Sequence, residues 1–581
     1  MTLQSPERIN PALLARFARR NLAPSRGDLA VIFLIAGAAV LVAHGAQQVN
    51  QPLSRLAMEP IRLELARLPG YALLTVLRMF AALFFSLVFT FVVATLAAKS
   101  RKAELVIIPA LDILQSVPVL GFLTFTVTFF MNLLPGQELG VEAAAVFAIF
   151  TAQAWNMAFS FYQSLKTLPA DLDEAASAFG LSAWRRFWRL ELPFATPALV
   201  WNTMMSMSGA WFFVVASEAI TVGKTNVALP GIGSWLAEAT ARGDGRAVIW
   251  AVAAMAVVIV IYDQLLFRPI VTWADKFRFE QTASEHPPTS WFYDLIRRMR
   301  LLPRLVRPVS RTLTQLPPLP GIEIRPRRPL SPAAARALDR LWLVVVIAAA
   351  LGAAWLVVRY VSESLRLSDA LLAFGLGALT LVRVLVLIAV ASLIWVPIGV
   401  WIGLRPAWTE RVQPIAQFFA AFPANVLFPI VVGVIVALNL PPNIWLSPLM
   451  ILGTQWYILF NVIAGASVLP NDLQEAASIF RVRRWQWWRD VALPGVFPYY
   501  VTGALTASGG SWNASIVAEV VTWNHRKVEA AGLGSYIADA TAAGDYQRVA
   551  LGIAVMSIFV ILINRLLWRP LYGYAARRLR L

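Results

Sequence analysis

The sequence has no cysteine, so it encodes neither a disulfide nor a thiolate metal site. Its three histidines, His44, His286 and His525, are scattered and form no metal-ligating or acid–base constellation. Lysine is nearly as scarce. None of the six (Lys99, Lys102, Lys166, Lys224, Lys276, Lys527) stands in a Gly-x-x-x-x-Gly-Lys-Ser/Thr setting, so no phosphate-cradling loop is written into the chain. There is no His-Glu-x-x-His pattern and no nucleophile elbow. Charge of either sign is thin, at 14% of 581 residues. These absences leave no catalytic residue and no metal site to name, and they argue against an enzyme.

What is abundant is apolar. Hydrophobic residues make up 59% of the chain, and the mean hydropathy is +0.65. That composition belongs to a multi-pass membrane protein. The formal net charge of +18 is then the retention of Lys and Arg on the cytoplasmic side. It is not a nucleic-acid footprint, because no basic patch is interleaved with aromatics. The 22 tryptophans suit bilayer interfaces. The first apolar run starts near Leu29 with no small-residue cleavage site after it, so no cleavable signal is expected.

Read in order, residues 1–27 are a polar, Arg-rich segment. Residues 28–269 form a first transmembrane domain, with apolar spans near 29–43, 71–98, 106–131, 141–165, 193–222 and 246–267. The third span is expected to break at Pro109 and Pro118, and a Gly-rich loop is expected over 223–245. Residues 270–337 are rich in Pro and Arg and hold no crossing run, which reads as a cytoplasmic linker. A second transmembrane domain, 338–570, repeats the pattern near 341–361, 371–403, 414–438, 444–467, 494–522 and 549–568, and 571–581 is a basic tail. The fold class is therefore all-α, with about twelve transmembrane helices. Six spans per half put every Lys/Arg-rich segment on one side, the cytoplasmic one, together with both termini.

The two halves share a polar insert. The first copy reads Asp171-Leu-Asp-Glu-Ala-Ala-Ser-Ala-Phe-Gly180, with Trp184 and Leu-Pro193 following; the second reads Asp472-Leu-Gln-Glu-Ala-Ala-Ser-Ile-Phe-Arg481, with Trp485 and Leu-Pro494. The offset is 301 (475 − 174). Asp171 and Asp472 are placed to cap a helix in an Asp-x-x-Glu box with Glu174 or Glu475. Leu172, Ala175, Ala176 and Phe179 fall on one helical face. Gly180 suits a left-handed cap. Arg481 at the same place costs about 1 kcal/mol there, so the second helix is expected to end differently or to use Arg481 against a partner. The offset also links Gly209-Ala-Trp211 to Gly510-Ser-Trp512, Glu218 to Glu519, and Gly231-Ile-Gly-Ser234 to Gly532-Leu-Gly-Ser535. Upstream, Thr75 and Arg78 answer to Thr380 and Arg383 at an offset of 305 (380 − 75). Two halves of like topology form a parallel repeat about a pseudo-two-fold axis along the membrane normal.

The insert resembles the Glu-Ala-Ala loop of the permease subunits of bacterial ABC importers, and the resemblance covers about residues 70–270 and 370–570. It implies a type I importer-like permease with both halves fused. Asp171, Glu174, Ala175, Ala176, Gly180 and Trp184, with Asp472, Glu475, Ala476, Ala477, Arg481 and Trp485, would form coupling helices docking on two copies of a cytoplasmic ATPase. ATP and Mg would bind that ATPase and no cofactor this chain. A periplasmic or lipid-anchored binding protein would deliver the solute, and the setting would be a bacterial inner membrane. The fifth span and the Trp/Arg turn resemble most the nitrate, sulfonate and taurine class, so a small anion is the expected cargo. A fused iron- or thiamine-type permease is the alternative, and outside the class a secondary transporter or channel that needs no ATPase.

Candidates for the path are Ser206, Ser208, Trp211 and Glu218 in the first half, and Ser508, Ser511, Trp512, Asn513 and Glu519 in the second. Neutral donors suit transit, since a tightly held ion would not leave. Glu218 and Glu519 read either as a gate or as structural pairs. Arg78 and Arg383 read first as snorkelling side chains.

Overall fold

A computed structural model describes residues 61–116, 119–121, 123–222, 225–277, 290–297, 332–469, 471–482 and 485–578. The N-terminal segment, the first expected span and most of the linker lie outside them. The protein is an all-α polytopic membrane protein built of two repeated halves. Seven of the described helices are long and apolar enough to cross a membrane, or nine if each bent pair is one span.

The chain divides into two compact units. The described residues of the larger fall within 61–163, 202–260 and 332–578, and hold most of both repeats. Its first-half helices are α1 (Leu68–Lys99), α2 (Arg101–Ser116), α3 (Leu123–Leu133) and most of α4 (Glu138–Lys166). After α5 (Ala170–Ala178) and α6 (Ala183–Arg186) of the first insert, the fifth-span and sixth-span helices, α7 (Leu192–Glu218) and α9 (Gly245–Tyr262), run through the unit boundaries at 201/202 and 260/261. Pro109 does not interrupt α2, contrary to expectation, and Pro414 likewise lies inside a helix, Pro406–Ala421. Proline is tolerated in such helices where neighbours satisfy the freed carbonyl. The third span of the second half stops instead at Phe422-Pro423, before a 3₁₀ turn at Ala424–Leu427 and a helix at Phe428–Ala437.

The fourth spans differ. In the first half α4 is one helix of 29 residues. In the second, Pro442–Met450 and Gln455–Ser467 meet at 45°, where a continuous span was expected. Pro448 and Gly453 stand where the first half has Phe147 and Ala152, which removes a backbone donor and adds a flexible residue at the break.

The fifth spans end early. Helix was expected to Val222 and Thr522, yet it stops at Glu218 and Ala518. Each is followed by an antiparallel hairpin, Ala219–Val222 with Thr225–Ala228 and Val520–Trp523 with Arg526–Glu529. The β-branched runs Ile220-Thr-Val and Val520-Val-Thr favour strand. Asn524 and His525, at φ 47° and 58°, make the tight turn that matches strand twist. The expected loop over 223–245 also contains a helix, α8 (Ile232–Ala241), mirrored by Leu533–Ala543.

Within the larger unit the two repeats interlock. Asn425 Nδ2 donates to the Phe212 carbonyl at 3.0 Å. At nearly equivalent places with the halves exchanged, Val119 N donates to Asn513 Oδ1 at 2.8 Å. One buried apolar cluster runs from Val127 and Ala148 through Val384 and Val462 to Trp512. Apolar side chains on the outside of α1, such as Phe84 and Val92, remain exposed. So does the span Arg340–Ser362, none of whose apolar window is buried. In a membrane those surfaces meet lipid.

The described residues of the smaller unit are 164–201, 261–277 and 290–297. It includes the first insert and the end of the sixth span. From the linker it contains the short helix Trp291–Arg297, which packs on Arg268–Ala274 and buries Tyr293, with Lys276 Nζ 4.9 Å from the Tyr293 ring centre.

Four prolines follow π-helical turns: Phe187–Glu191 before Pro193, Asp263–Phe267 before Pro269, Trp488–Ala492 before Pro494, and Asn564–Trp568 before Pro570. A π turn widens the helix where proline would clash with an earlier carbonyl. Pro193 and Pro494 therefore sit in continuous helices rather than starting new ones.

Candidate translocation and coupling sites

The inserts form short helices, Ala170–Ala178 and Asn471–Ile479. The expected Asp caps are not made. The first helix begins after Pro169, with Asp171 already in its first turn; Asp472 likewise lies inside the first turn of the second. There the carboxylates face the positive end of the helix dipole. The expected apolar face is also not buried as a unit. Ala176 and Ala477 are covered, Glu174, Ala175 and Glu475 are exposed, and Phe179 and Phe480 are 82% and 80% exposed. Trp184 packs edge-on against Trp188, whereas Trp485 is exposed.

Gly180 takes φ +61°, the left-handed cap that was expected. Arg481 takes +52°. The two helices therefore end alike, so of the two alternatives expected for Arg481 a different ending is not the one taken. In each, a 6→1 bond closes the turn: Leu181 N to Ala176 O at 3.1 Å, and Val482 N to Ala477 O at 2.8 Å. That bond and the burial of Ala477 offset the left-handed cost.

The path candidates are largely packed. Ser206 accepts from Asn156 Nδ2 at 3.3 Å. Ser208 and Ser511 bond carbonyls of their own helices, and Ser511 also meets Thr454 at 3.1 Å. Ser508 and Trp211 are buried, and Trp512 stacks on Phe559. Asn513 among them reaches into the other repeat.

Glu218 is completely buried within a network that sequence reading only half found. Arg78 Nη1 donates to it at 2.8 Å, and the same guanidinium grips Glu142 through two bonds of 2.7 and 2.6 Å. Arg78 is 4% exposed, so it does not snorkel. The N-terminus of α8 completes the network: Gly233 N donates to Glu218 at 2.7 Å, and Ile232 N to Thr75 Oγ1 at 3.0 Å. A carboxylate at a helix N-terminus is favoured by dipole and free amides together. The second half repeats the arrangement. Arg383 and Thr380 bond Glu519 at 3.2 and 3.0 Å, and Ser535 N donates to it at 3.1 Å. But Asn443 stands where the first half has Glu142, at the 301 offset, and accepts from Arg383 at 3.3 Å. The first cluster thus pairs one cation with two carboxylates and the second pairs one with one. Glu142 was missed because it lies at the very start of its span, where a charge reads as interfacial. These networks staple the segment after the hairpin to the second, fourth and fifth spans.

Comparison with known families now decides the class. The model of the binding-protein-dependent transport system inner membrane component matches twice, over residues 86–267 and 395–580. The chain belongs to that family. This permease carries two copies of a domain within one polypeptide. Over 201 residues it is 27% identical to a nitrate import permease protein of Leptolyngbya laminosa, covering 35% of this chain and 67% of the relative. Over 186 residues it is 27% identical to a bicarbonate transport system permease protein of Synechococcus elongatus, covering 32% and 64%. A glycine betaine/carnitine transport permease protein of Listeria monocytogenes is 28% identical over 170 residues, covering 29% and 54%. The matches thus span about half to two thirds of these relatives.

Proposed function

We propose that the chain is the membrane translocation subunit, with both halves in one polypeptide, of an ATP-driven importer for a small, anionic solute. Residues 28–269 and 338–570 are its two halves, and 270–337 is the link between them. Two separate ATPase chains grip the helices Ala170–Ala178 and Asn471–Ile479 from the cytoplasm, and a binding protein delivers solute on the opposite side. The Lys/Arg excess supports an orientation in a bacterial inner membrane with the N-terminus, linker and C-terminus on the cytoplasmic side, where the ATPase binds. ATP-driven closure pulls on both helices and rocks the halves between inward-open and outward-open states.

The observation that carries this reading is the paired insert, each copy an exposed acidic helix closed by a left-handed residue, inside a twice-matched family domain. The nitrate and bicarbonate named for two relatives support an anion. The test is charge reversal. Glu174→Arg with Glu475→Arg is expected to abolish co-purification of the ATPase while the permease still inserts and remains monodisperse. Retention of the ATPase by that variant counts against the coupling role.

A further inference from the structure

We infer that Arg186 is the positioning residue of the first coupling loop, and that the second loop is held by a different device. The inference rests on the coupling role proposed above.

Arg186 lies between the docking helix and the foot of the fifth span. Its guanidinium pairs with Asp173 on the helix Ala170–Ala178, and its Nε lies 3.1 Å from Glu191 Oε1. Glu191 belongs to the π turn that runs into α7, and it is 3% exposed. One planar cation between two carboxylates fixes both distance and angle. Without it, the buried Glu191 carboxylate loses a charged partner.

At the 301 offset the second loop has Gln474, Trp487 and Ala492, none of them charged. Trp487 and Trp488 meet edge-to-face at 5.5 Å and pack with Leu469 and Ala492 against the large apolar cluster. Among the described residues of that segment, the ion pair between Arg489 and Asp490 at 2.7 Å joins chain neighbours rather than reaching the docking helix. An ionic clamp that is partly exposed weakens as salt rises, and aromatic packing does not. Force on the first loop therefore passes through a charged link, and force on the second through an apolar one.

The cysteine-free chain permits a clean test on the full-length protein in nanodiscs. A spin label is placed at Ala178→Cys, or in a separate sample at Ile479→Cys, both at exposed loop positions. Arg186→Gln is expected to mobilise the label at 178, and Arg186→Lys to keep it immobile. Raising salt to about 1 M, where the screening length falls to about 3 Å, is expected to mobilise 178 and leave 479 unchanged. Asp173→Asn carries the same expectation at 178 without stranding a buried charge, should Arg186→Gln fold poorly. An immobile label at 178 in the folded Gln or Asn variant, or equal salt response at both positions, overturns the inference. The label is read without any ATPase. Failure of the unlabelled wild-type chain to hold an ATPase is therefore a separate result, and counts against the coupling role alone.

Discussion

Arg78→Leu is expected to leave almost no monodisperse protein after solubilisation, while Arg383→Leu gives a recoverable protein of lowered melting temperature. Arg78 is buried and Arg383 nearly so, and both pair with a fifth-span glutamate. The difference is Glu142. Removing Arg78 strands two buried carboxylates, and removing Arg383 strands one beside the neutral Asn443. Breaking a buried pair by deleting one partner costs about 3–5 kcal/mol, against total stabilities of about 5–15 kcal/mol. A second stranded carboxylate therefore consumes most of the margin. Neutralising what is stranded should reverse the loss, so Arg78→Leu with Glu142→Gln and Glu218→Gln is expected to recover protein. Equal yields and melting temperatures for the two single variants would show that the charge imbalance has no energetic weight.

The other large effect is expected from glycine. A Cβ on Gly233 falls on the Val215 carbonyl, and one on Gly534 falls on the Ser515 carbonyl and against Glu519. In each case the obstacle includes backbone of the fifth-span helix, which cannot rotate aside as a side chain would. The α8 segment must then lift off, taking with it the Gly233 amide that bonds Glu218. Overpacking of this kind costs about 1–3 kcal/mol, and broken amide bonds to a buried carboxylate add about 1.5–3 kcal/mol. Gly233→Ala and Gly534→Ala are each expected to lower the melting temperature sharply. Gly509→Ala is the control: nothing lies within 4 Å of its Cβ position, and alanine is the better helix former. A drop with Gly509→Ala as large as with Gly233→Ala would contradict the packing explanation.

Much of this was legible in the residues. The repeat was, because a polar insert with fixed spacing stands out between apolar runs, and the same 301 offset carried through Glu218, Gly231 and Trp211. The long spans among the described residues, such as those expected near 71–98, 141–165, 246–267 and 371–403, were legible from length and hydropathy. The hairpins after Glu218 and Ala518 were not, because Ile220-Thr-Val and Val520-Val-Thr are as apolar as the helices they follow. The broken fourth span at Pro448 and Gly453 was hidden for a related reason: single breakers inside an apolar run do not show whether a neighbour will satisfy the freed carbonyl. Pro109 and Pro414 make the contrast, since each stays inside a helix. The ion network was half legible. Arg78 and Glu218 recur in both halves, yet only the fold brings them together across 140 residues.

The central claim is that one chain supplies both halves and both grips. The most direct measurement is the mass of the intact complex, taken by native mass spectrometry after co-expression with the ATPase. The expected species holds one permease chain and two ATPase chains. A species with two permease chains for two ATPases, or a permease that never carries an ATPase, would contradict it.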